Sequence, residues 1–522
     1  MNQIFFLSFG NYRVDYVIMT DVFCVNLWVW YKKELIMTNI VEFNGRPFHF
    51  IGIGGIGMSA LAYVLAKRNL PVSGSDLRST HITQRLQSVG AYIFNHQEEG
   101  NIKFFQEKNN HKLPQIADRF QILPQVICST AINQANSEYK AAVELGCPIF
   151  HRSDLLSALI DQYSQSIAVG GTHGKTTTSS LIGHILLQTD LDPTIIVGGE
   201  VNTWGGNARL GKAEYLVAEA DESDGSLIKF KSTIGIITNI ELDHPDHYQD
   251  LESVINTFKT FAHRCEVLIG CIDDRTVKEN FQPTITYSLD KNSGADYTVD
   301  EVNYAAHGTT CRIWEKGQIL GELNLNLLGK HNLSNALAAI AVGRYIGLEF
   351  KDIAQACSTF GGAKRRFELK GQENGIYFVD DYAHHPSEIQ VTLAAGRLQV
   401  KSNQRLVAIF QPHRYSRTEV FMQDFAKSFK DADTVIITDV YSAGEEKREH
   451  ITGEHLANLI RNNNHTQVYY QSSLSDVVKF LKEYLKPGDL ALFLGAGNLN
   501  GIIPDLVSFF QKPTVELAGT KN

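Results

Sequence analysis

GGTHGKTTT, residues 170–178, follows the apolar run SIAVG (166–170) and precedes a stretch with helical apolar spacing. A strand, a glycine-rich turn and a helix in this order predict a phosphate-binding loop, because backbone N–H groups and the helix N-terminus converge on phosphate oxygens. In such a loop Lys175 contacts the terminal phosphates and Thr176 offers its hydroxyl to Mg²⁺. The strict pattern fails at one position, where Val169 replaces the first glycine. A simple glycine turn with an exposed lysine is the alternative, and the flanking strand and helix disfavour it.

Two later strand-like runs end in acidic and imidazole side chains. YLVAEADESD (215–224) and IGIITNIELDHPDHY (234–248) together supply the candidates Glu219, Asp221, Glu222, Asp224, Asp243, His244, Asp246 and His247. Taken singly, each acidic run is equally typical of a solvated loop. Because ligands of open α/β sheets bind beyond the carboxyl ends of the strands, we expect both runs and the phosphate loop to meet in one crevice.

A second glycine loop lies near the start of the chain. FIGIGGIGMS (50–59) carries Gly52, Gly54 and Gly57 as G-x-G-x-x-G between a strand and a helix, and Asp76 follows 19 residues after Gly57. This pattern is typical of dinucleotide binding. It does not single out NAD, because a UDP-sugar also carries a diphosphate. A nicotinamide oxidoreductase and a turn without ligand both remain open at this point.

The order of patterns along the 522 residues predicts several domains. From residue 47 onward, strand-like and helix-like stretches alternate, which indicates α/β units with parallel sheets. Strand–loop–helix patterns begin near 47, 166 and 376, so we predict three domains at 47–152, 153–361 and 362–522. Residues 1–46 are predicted to be an extension outside the core.

Composition excludes some partners and compartments. The net charge is −9 with no basic block, so nucleic acid is not a predicted partner. The seven cysteines are scattered without a C-x-x-C pair, which favours free thiols in the cytoplasm. The apolar start is interrupted by Asp15, Asp21 and Asn26 and lacks a basic beginning, so it predicts neither membrane insertion nor a signal peptide. Met37 is a plausible start, and we expect residues 1–36 to be dispensable.

Read together, these motifs resemble the Mur ligase family over about residues 47–510. The matching stretches are GIGGIGMSALA (52–62), SGSD (73–76), GTHGKTTT (171–178), AEADESD (218–224), TNIELDH (238–244), GKHNLSNALAA (329–339), AKRRFELKG (363–371), DDYAHHPSEI (380–389), QPHRYSRT (411–418), AGEE (443–446) and GAGN (495–498). Their number and order make this resemblance far more specific than either glycine loop. It implies a Rossmann-like N-terminal domain for a UDP-sugar, a central ATPase-type α/β domain of the phosphate-loop kind, and a Rossmann-like C-terminal domain that closes on ATP and the amino acid.

The resemblance also implies site residues. The ATP-binding residues would be Gly171, Thr172, His173, Gly174, Lys175, Thr176, Thr177, Asn332 and Asn335. The UDP-sugar-binding residues would be Gly52, Gly54, Gly55, Gly57 and Asp76, joined from the third domain by His384, Arg414 and Arg417. The catalytic residues would be Lys175, His244, Arg366 and Asp381, and the ligands of Mg²⁺ or Mn²⁺ would be Thr176, Glu219 and His244. Lys259 lies near the place where some relatives carry a carbamylated lysine, and we assign it no role.

The implied reaction joins an amino acid to a carboxylate at the expense of ATP. In the branch that the motifs resemble most, L-alanine is ligated to UDP-N-acetylmuramate through an acyl phosphate, giving ADP and phosphate for peptidoglycan precursors. Three alternatives stay open: a sister ligase that adds a whole peptide, the nicotinamide oxidoreductase, and a nucleotide-binding scaffold without activity. His244, His247 and His384 are all candidates for the base that deprotonates the amine.

Overall fold

The computed structural model describes residues 40–106, 123–463 and 467–511. The segment predicted to be dispensable, residues 1–36, lies outside the described residues, as does Met37. Within the described part, the chain forms three separate sheets that follow one another along the sequence. Each sheet is flanked by helices, and the apolar core of the first sheet continues onto one face of the second, whereas the second and third sheets also have separate cores.

The first sheet has five strands in the order β3-β2-β1-β4-β5, all parallel. Its central strands are buried along their whole length, as expected for a parallel sheet covered on both faces. Its strands are β1 Phe48–Ile51, β2 Val72–Ser75, β3 Tyr92–Phe94, β4 Gln125–Cys128 and β5 Ile149–His151. The helices of this part are α1 Ile56–Lys67, α2 His81–Ser88, α3 Ser137–Glu144 and α4 Arg152–Ile160, with a 3₁₀ segment at Glu99–Gln106.

The second sheet has ten strands in the order β15-β14-β13-β12-β11-β10-β6-β9-β7-β8, with a parallel centre and antiparallel edges. Its strands are β6 Gln165–Gly170, β7 Thr194–Val201, β8 Gly206–Arg209, β9 Tyr215–Glu219, β10 Ile234–Ile237, β11 Val267–Cys271, β12 Ile285–Tyr287, β13 Tyr297–Ala305, β14 Gly308–Glu315 and β15 Gln318–Leu325. Its helices are α5 Lys175–Gln188, α6 Leu251–Arg264, α7 Arg275–Asn280, α8 Lys330–Tyr345 and α9 Phe350–Thr359, with 3₁₀ turns at Asn202–Trp204 and Ser226–Lys229. Strands β9, β6 and β10 are direct neighbours, so their carboxyl ends lie side by side.

The third sheet has six strands in the order β16-β17-β21-β18-β19-β20, and only β16 is antiparallel to its neighbour. Its strands are β16 Glu368–Glu373, β17 Ile376–Asp381, β18 Leu406–Phe410, β19 Thr434–Ile437, β20 Gln467–Tyr470 and β21 Leu490–Leu494. Its helices are α10 Pro386–Arg397, α11 Tyr415–Val420, α12 Met422–Lys427, α13 Gly453–Asn463, α14 Leu474–Tyr484 and α15 Ile503–Phe510, with a 3₁₀ turn at Leu499–Ile502.

The predicted fold class, three consecutive α/β domains, is confirmed by this architecture. The exact boundaries at 152 and 361 stay predictions. The six cysteines in the described part of the chain are free thiols, in agreement with the sequence. No helix among the described residues is long and apolar enough to cross a membrane.

Candidate active site

A cleft of about 830 Å³ lies where the three domains meet. The first domain contributes its glycine loop, and the central domain contributes the phosphate loop and the ends of β9 and β10. The third domain contributes the residues just before β16 and those after β17 and β18. The predicted convergence of the phosphate loop and the two acidic runs therefore occurs in one cavity, which the glycine loop of the first domain also lines.

The phosphate loop turns sharply between β6 and α5. Gly171 and Gly174 have φ angles of 136° and 83°, a region that glycine enters without the strain a Cβ would cause. A Cβ at Gly174 would also lie 2.4 Å from Asn335 Oδ1, so the loop packs closely on α8. Asn332 anchors the start of the same helix by donating from Nδ2 to the Leu328 carbonyl. The turn and α8 thus form one rigid wall of the central domain.

Lys175 is the first residue of α5 and points back over the loop. Its ammonium donates to the carbonyls of Gly171 and Thr172 at 2.7 and 3.2 Å, and to both carboxylate oxygens of Glu222 at 3.0 and 2.8 Å. Burial alone would lower the pKa of Lys175, but Glu222 and Asp221 outweigh burial and raise it. Burial raises the pKa of Glu222 to about 7, although Lys175 opposes that shift. Lys175 is therefore a fixed, fully charged ammonium group at the cleft.

Thr176 connects three elements at the floor of the cleft. Its hydroxyl donates to Glu219 Oε1 at 3.1 Å, at the end of β9, and accepts from Arg366 Nη2 of the third domain at 3.4 Å. The other carboxylate oxygen of Glu219 accepts from the Gly198 N–H at 2.7 Å. A threonine hydroxyl, a carboxylate and a guanidinium group thus meet beside the phosphate loop.

The residues predicted as metal ligands fit a hard cation that is bound mainly through substrate phosphates. Thr176, Glu219 and His244 all line the cleft, and two of them are already in contact through their oxygens. Mg²⁺ takes one or two carboxylates plus phosphate oxygens and water, whereas an imidazole ligand suits Mn²⁺ better. Within the described ranges, however, the single cluster of three His, Cys, Asp or Glu side chains close enough to hold an ion by themselves is a different one: His173, Glu241 and His385.

His244 follows β10 in an unusual conformation. Its φ angle is 56°, which is uncommon for a residue with a side chain and turns the chain towards the cleft. Burial lowers the pKa of His244, although Asp243 opposes that shift. Burial also lowers the pKa of His384 to about 4. Both imidazoles are therefore neutral at pH 7 and able to accept a proton or bind a cation.

The third domain is held against the central domain by charged side chains. Arg417, which is fully buried, donates from Nε to Asp243 at 2.8 Å, and Arg414 donates to Asp246 at 2.6 Å. These contacts bring the predicted third-domain residues to the cleft.

His173, inside the phosphate loop, also takes part in this interface. Its Nδ1 lies 3.2 Å from Glu388 Oε1 of the third domain, and its Nε2 lies 3.5 Å from Glu241 Oε2 of the central domain. Burial alone would lower the pKa of His173, but its contacts with Glu241 and Glu388 outweigh burial and raise it to about 10. His173 is thus an imidazolium between two carboxylates across the domain boundary.

The raised pKa of His173 predicts a pH-dependent contribution to stability. The ordinary pKa of histidine is 6.5. The charged His173 therefore stabilises the folded state fully below about pH 6.5, and this stabilisation is lost as pH rises through about 10. We expect His173→Gln to lower the thermal unfolding midpoint clearly at pH 6.5 and hardly at pH 10. Exposed His307→Gln is the matched control and should leave the midpoint unchanged at both values. An equal loss at both pH values for His173→Gln would contradict the charged interaction.

The first domain presents its glycine loop to the same cleft. The Gly54 N–H donates to Asp76 Oδ2 at 2.9 Å, so the carboxylate fixes the turn from behind. Gly55 and Gly57 line the cavity. Arg152, at the start of α4, also lines it and donates to Asp221 and Asp224, both at 3.1 Å. The first domain is therefore tied to the acidic run of the central domain.

The structure separates the predicted site residues into two groups. Those that line the cleft are Gly55, Gly57, Thr172, His173, Gly174, Lys175, Thr176, Glu219, His244, Arg366, His384, Arg414 and Arg417. Those that lie behind its surface are Gly52, Gly54, Asp76, Gly171, Thr177, Asn332, Asn335 and Asp381. Asp381 is buried and accepts from the backbone N–H groups of Phe367 and Ala383 at 2.7 and 2.8 Å. It holds the backbone next to Arg366.

Some acidic candidates have other partners than a metal, and some site residues were missed. Glu222 pairs with Lys175, and Asp221 and Asp224 pair with Arg152. Arg152 follows β5 at its carboxyl end, so the rule applied to the other strand ends would have found it. Glu388 gave no comparable signal, because its partner His173 is 215 residues away in sequence.

The chain was compared with known proteins. Three family models match in order: the Mur ligase family catalytic domain at residues 47–164, the Mur ligase middle domain at 169–343, and the Mur ligase glutamate ligase domain at 365–497. The UDP-N-acetylmuramate–L-alanine ligase of Nostoc punctiforme is 64% identical over 478 residues, covering 91% of this chain and 99% of the relative. That of Microcystis aeruginosa is 61% identical over 474 residues, covering 90% and 98%.

Solved structures agree in fold. The UDP-N-acetylmuramate–alanine ligase of Thermotoga maritima superposes with a TM-score of 0.74 at 28% identity, covering 88% of this chain and 98% of that one. A murein peptide ligase of Psychrobacter arcticus has a TM-score of 0.65 at 23% identity, covering 90% and 99%, which speaks for the fold alone.

Three α/β domains around a shared cleft, with a phosphate loop on the central one, define a nucleotide-dependent enzyme that assembles its site from all of its domains. The family models and these relatives identify the family of this enzyme. The chain belongs to the Mur ligase family.

Proposed function

We propose that this enzyme ligates L-alanine to the carboxylate of UDP-N-acetylmuramate with ATP, giving ADP and phosphate, in peptidoglycan precursor synthesis. The observation that carries the reaction class is that Lys175, Thr176 and Arg366 line one cleft between three domains, where Arg366 contacts Thr176. The choice of substrates is supported by relatives named UDP-N-acetylmuramate–L-alanine ligase, which match about nine-tenths of the chain at 64% and 61% identity. The domains 47–152, 153–361 and 362–522 would hold the UDP-sugar, the ATP and the closing third-domain groups.

The chemistry requires activation of a carboxylate. An oxide ion is a poor leaving group, so transfer of the γ-phosphoryl group of ATP to the carboxylate first makes an acyl phosphate. The amine of alanine then attacks through a tetrahedral intermediate, and phosphate leaves. Because the first step brings two anions together, fixed positive charge is the main requirement, and Lys175 and Arg366 supply it.

The remaining loop residues hold the nucleotide. Gly171, Thr172, His173, Gly174 and Thr177 shape the turn that receives the phosphates, and Asn332 and Asn335 support it from α8. Thr176, Glu219 and His244 would hold Mg²⁺ or Mn²⁺, which when bound supplies further charge neutralisation. Asp381 acts as a positioning residue, since its carboxylate fixes the backbone beside Arg366.

The UDP-sugar would enter from the first domain. Gly55 and Gly57 line the cleft and leave room there for its diphosphate, while Gly52, Gly54 and Asp76 hold that turn in place through hydrogen bonds within the first domain. His384, Arg414 and Arg417 face the cleft from the opposite side, where they suit the sugar carboxylate or the amino acid. Arg414 is paired with Asp246 and Arg417 with Asp243, so substrate anions would compete with those carboxylates.

The attacking amine must be neutral, yet an α-amino group has an ordinary pKa of about 8. A base within reach of the acyl phosphate would take its proton. His244 and His384 both line the cleft, but the pKa of His384, lowered by burial to about 4, makes it a weak base, and His244 could take the proton only while it is not bound to the cation. His247 does not line the cleft. The enzyme would act in the cytoplasm, where ATP is supplied and its free thiols persist.

A phosphate-release assay with matched acceptors tests this proposal. Purified enzyme with ATP, Mg²⁺ and UDP-N-acetylmuramate is given L-alanine, glycine, L-serine, or the tripeptide that a sister ligase would add. We expect release with L-alanine that requires all components, and none with the tripeptide. Faster release with the tripeptide would assign the chain to the peptide-adding branch. NADH oxidation in the same preparation would favour the oxidoreductase instead.

A further inference from the structure

We propose that His173, Glu241 and His385 form a second cation site, for a divalent transition metal of the zinc class, between the central and third domains. This seam site is separate from the Thr176, Glu219 and His244 set and takes a different kind of ion. It does not depend on which amino acid or sugar the enzyme uses.

The three side chains of the seam site each place one possible ligand atom within reach of a single ion. Glu241 Oε2 lies 3.5 Å from His173 Nε2 and 3.6 Å from His385 Nδ1, and one ligand atom of each residue lies within 4.8 Å of the others. Ligands about 2.0–2.1 Å from a tetrahedral Zn²⁺ are about 3.3 Å apart, so small movements bring all three into place. Two histidines and one glutamate leave a fourth position for water, which is a common zinc ligand set.

A second observation points to a ligand at this place. The Nε2 atom of His173 is buried, and its contact with Glu241 Oε2, at 3.5 Å, is longer than a normal hydrogen bond. The other ring nitrogen, Nδ1, is held by Glu388 at 3.2 Å. A carboxylate behind a ligating histidine fixes the tautomer and directs the opposite nitrogen towards the metal. Glu388 is placed to do this for His173.

The charges of the site favour a cation. Burial alone would raise the pKa of Glu241, but the contact with His173 outweighs burial and lowers it to about 2, so this carboxylate is ionised. Burial lowers the pKa of His385, so its imidazole is neutral, and a metal at Nδ1 would replace the long contact of 3.3 Å that this atom accepts from the Ser387 N–H. Glu388 adds a second negative charge, and Ser387 donates to Glu241 at 2.6 Å and orients it. A metal would replace the proton that His173 carries, so uptake releases a proton.

An ion here would act on domain movement. His173 and Glu241 belong to the central domain, whereas His385 and Glu388 begin α10 of the third domain. A cation shared by these groups fixes the third domain against the phosphate loop. Because two imidazole ligands suit zinc-class ions better than Mg²⁺, such ions would slow opening of the cleft from a place apart from the Thr176, Glu219 and His244 set.

Cobalt is a direct probe, because tetrahedral Co²⁺ with nitrogen ligands absorbs visible light strongly and octahedral Co²⁺ with oxygen ligands does so weakly. The full-length protein is saturated with Mg²⁺ and titrated with CoCl₂, with proton release followed in weak buffer. We expect one equivalent with a strong visible band, lost on adding Zn²⁺ and not on adding more Mg²⁺. No band, as expected if His173 is only a charged link between two carboxylates, would overturn the proposal.

Variants assign the band to the seam site. Glu241→Gln keeps the shape of the side chain. The single variants Glu241→Gln and His385→Ala should each abolish the band. Glu388→Gln should weaken Co²⁺ binding about 10–100-fold. His244→Ala is the control and should keep the band. A band that survives in both Glu241→Gln and His385→Ala, or is lost in His244→Ala, would overturn the assignment, with circular dichroism checking that each variant is folded.

Discussion

Lys175→Ala is expected to lower the rate of ligation about 10²–10³-fold, equivalent to about 3–4 kcal/mol of lost transition-state stabilisation. The ammonium group is held over the phosphate loop by two loop carbonyls and by Glu222. It is therefore in place for the γ-phosphoryl group before the reaction begins. Since we propose that the UDP part of UDP-N-acetylmuramate binds the first domain, its affinity, measured by calorimetry, should stay close to that of the wild type.

Lys175→Ala also breaks a buried ion pair, so the experiment must separate the loss of stability from the loss of catalysis. Removing Lys175 leaves Glu222 buried without its partner, and breaking a buried pair in this way typically costs stability. The double variant Lys175→Ala/Glu222→Gln removes the unpaired carboxylate and should regain stability without regaining activity. Exposed Lys278→Ala is the control and should behave as the wild type. A Lys175→Ala enzyme within threefold of the wild-type rate would contradict the assignment.

Arg366→Ala is expected to have the next largest effect, a loss of about 10²-fold in the rate at saturating substrates. Its guanidinium reaches Thr176 from the third domain, so it adds positive charge to the phosphoryl group only when the domains are together. The affinity for UDP-N-acetylmuramate should change little, because that substrate belongs to the first domain. Single-turnover phosphate transfer, measured by rapid quench, separates chemistry from product release.

Two further variants make the Arg366 result specific. Arg275→Ala removes an exposed arginine whose ion pair with Glu279 contributes little, so its rate should be that of the wild type. Asp381→Asn should lower the rate less than Arg366→Ala, because it acts only by loosening the backbone beside Arg366. A fully active Arg366→Ala enzyme would show that the third domain does not serve the phosphoryl group through this residue.

The fold was largely predictable because its signals are local. The strand, turn and helix around 170–178 appear as expected, with β6 ending at Gly170 and α5 beginning at Lys175. The apolar run 166–170 forms strand β6, Gln165–Gly170, within one residue of the predicted bounds. The antiparallel hairpins β13–β15 at the edge of the central sheet gave no clear signal, because their half-exposed alternation is shared by surface loops.

The site was predictable where strand ends determine it and unpredictable where domains meet. The sequence placed Glu219 and His244 at one crevice with Lys175, because neighbouring parallel strands end at the same edge. It did not predict that Glu222 pairs with Lys175, since two adjacent acids in AEADESD look equivalent. Nor did it predict the contact of His173 with Glu388, which depends on how the third domain docks. Pairings across domains leave no periodic trace in one sequence.

In the proposed reaction, the γ-phosphoryl group of ATP passes to the sugar carboxylate before the amide forms. UDP-N-acetylmuramate labelled with ¹⁸O in both carboxylate oxygens, incubated with enzyme, ATP, Mg²⁺ and L-alanine, tests this directly by mass spectrometry of both products. We expect each released phosphate to carry one ¹⁸O atom and the new amide carbonyl to retain the other. Unlabelled phosphate, or the formation of AMP and pyrophosphate with the label in AMP, would contradict it.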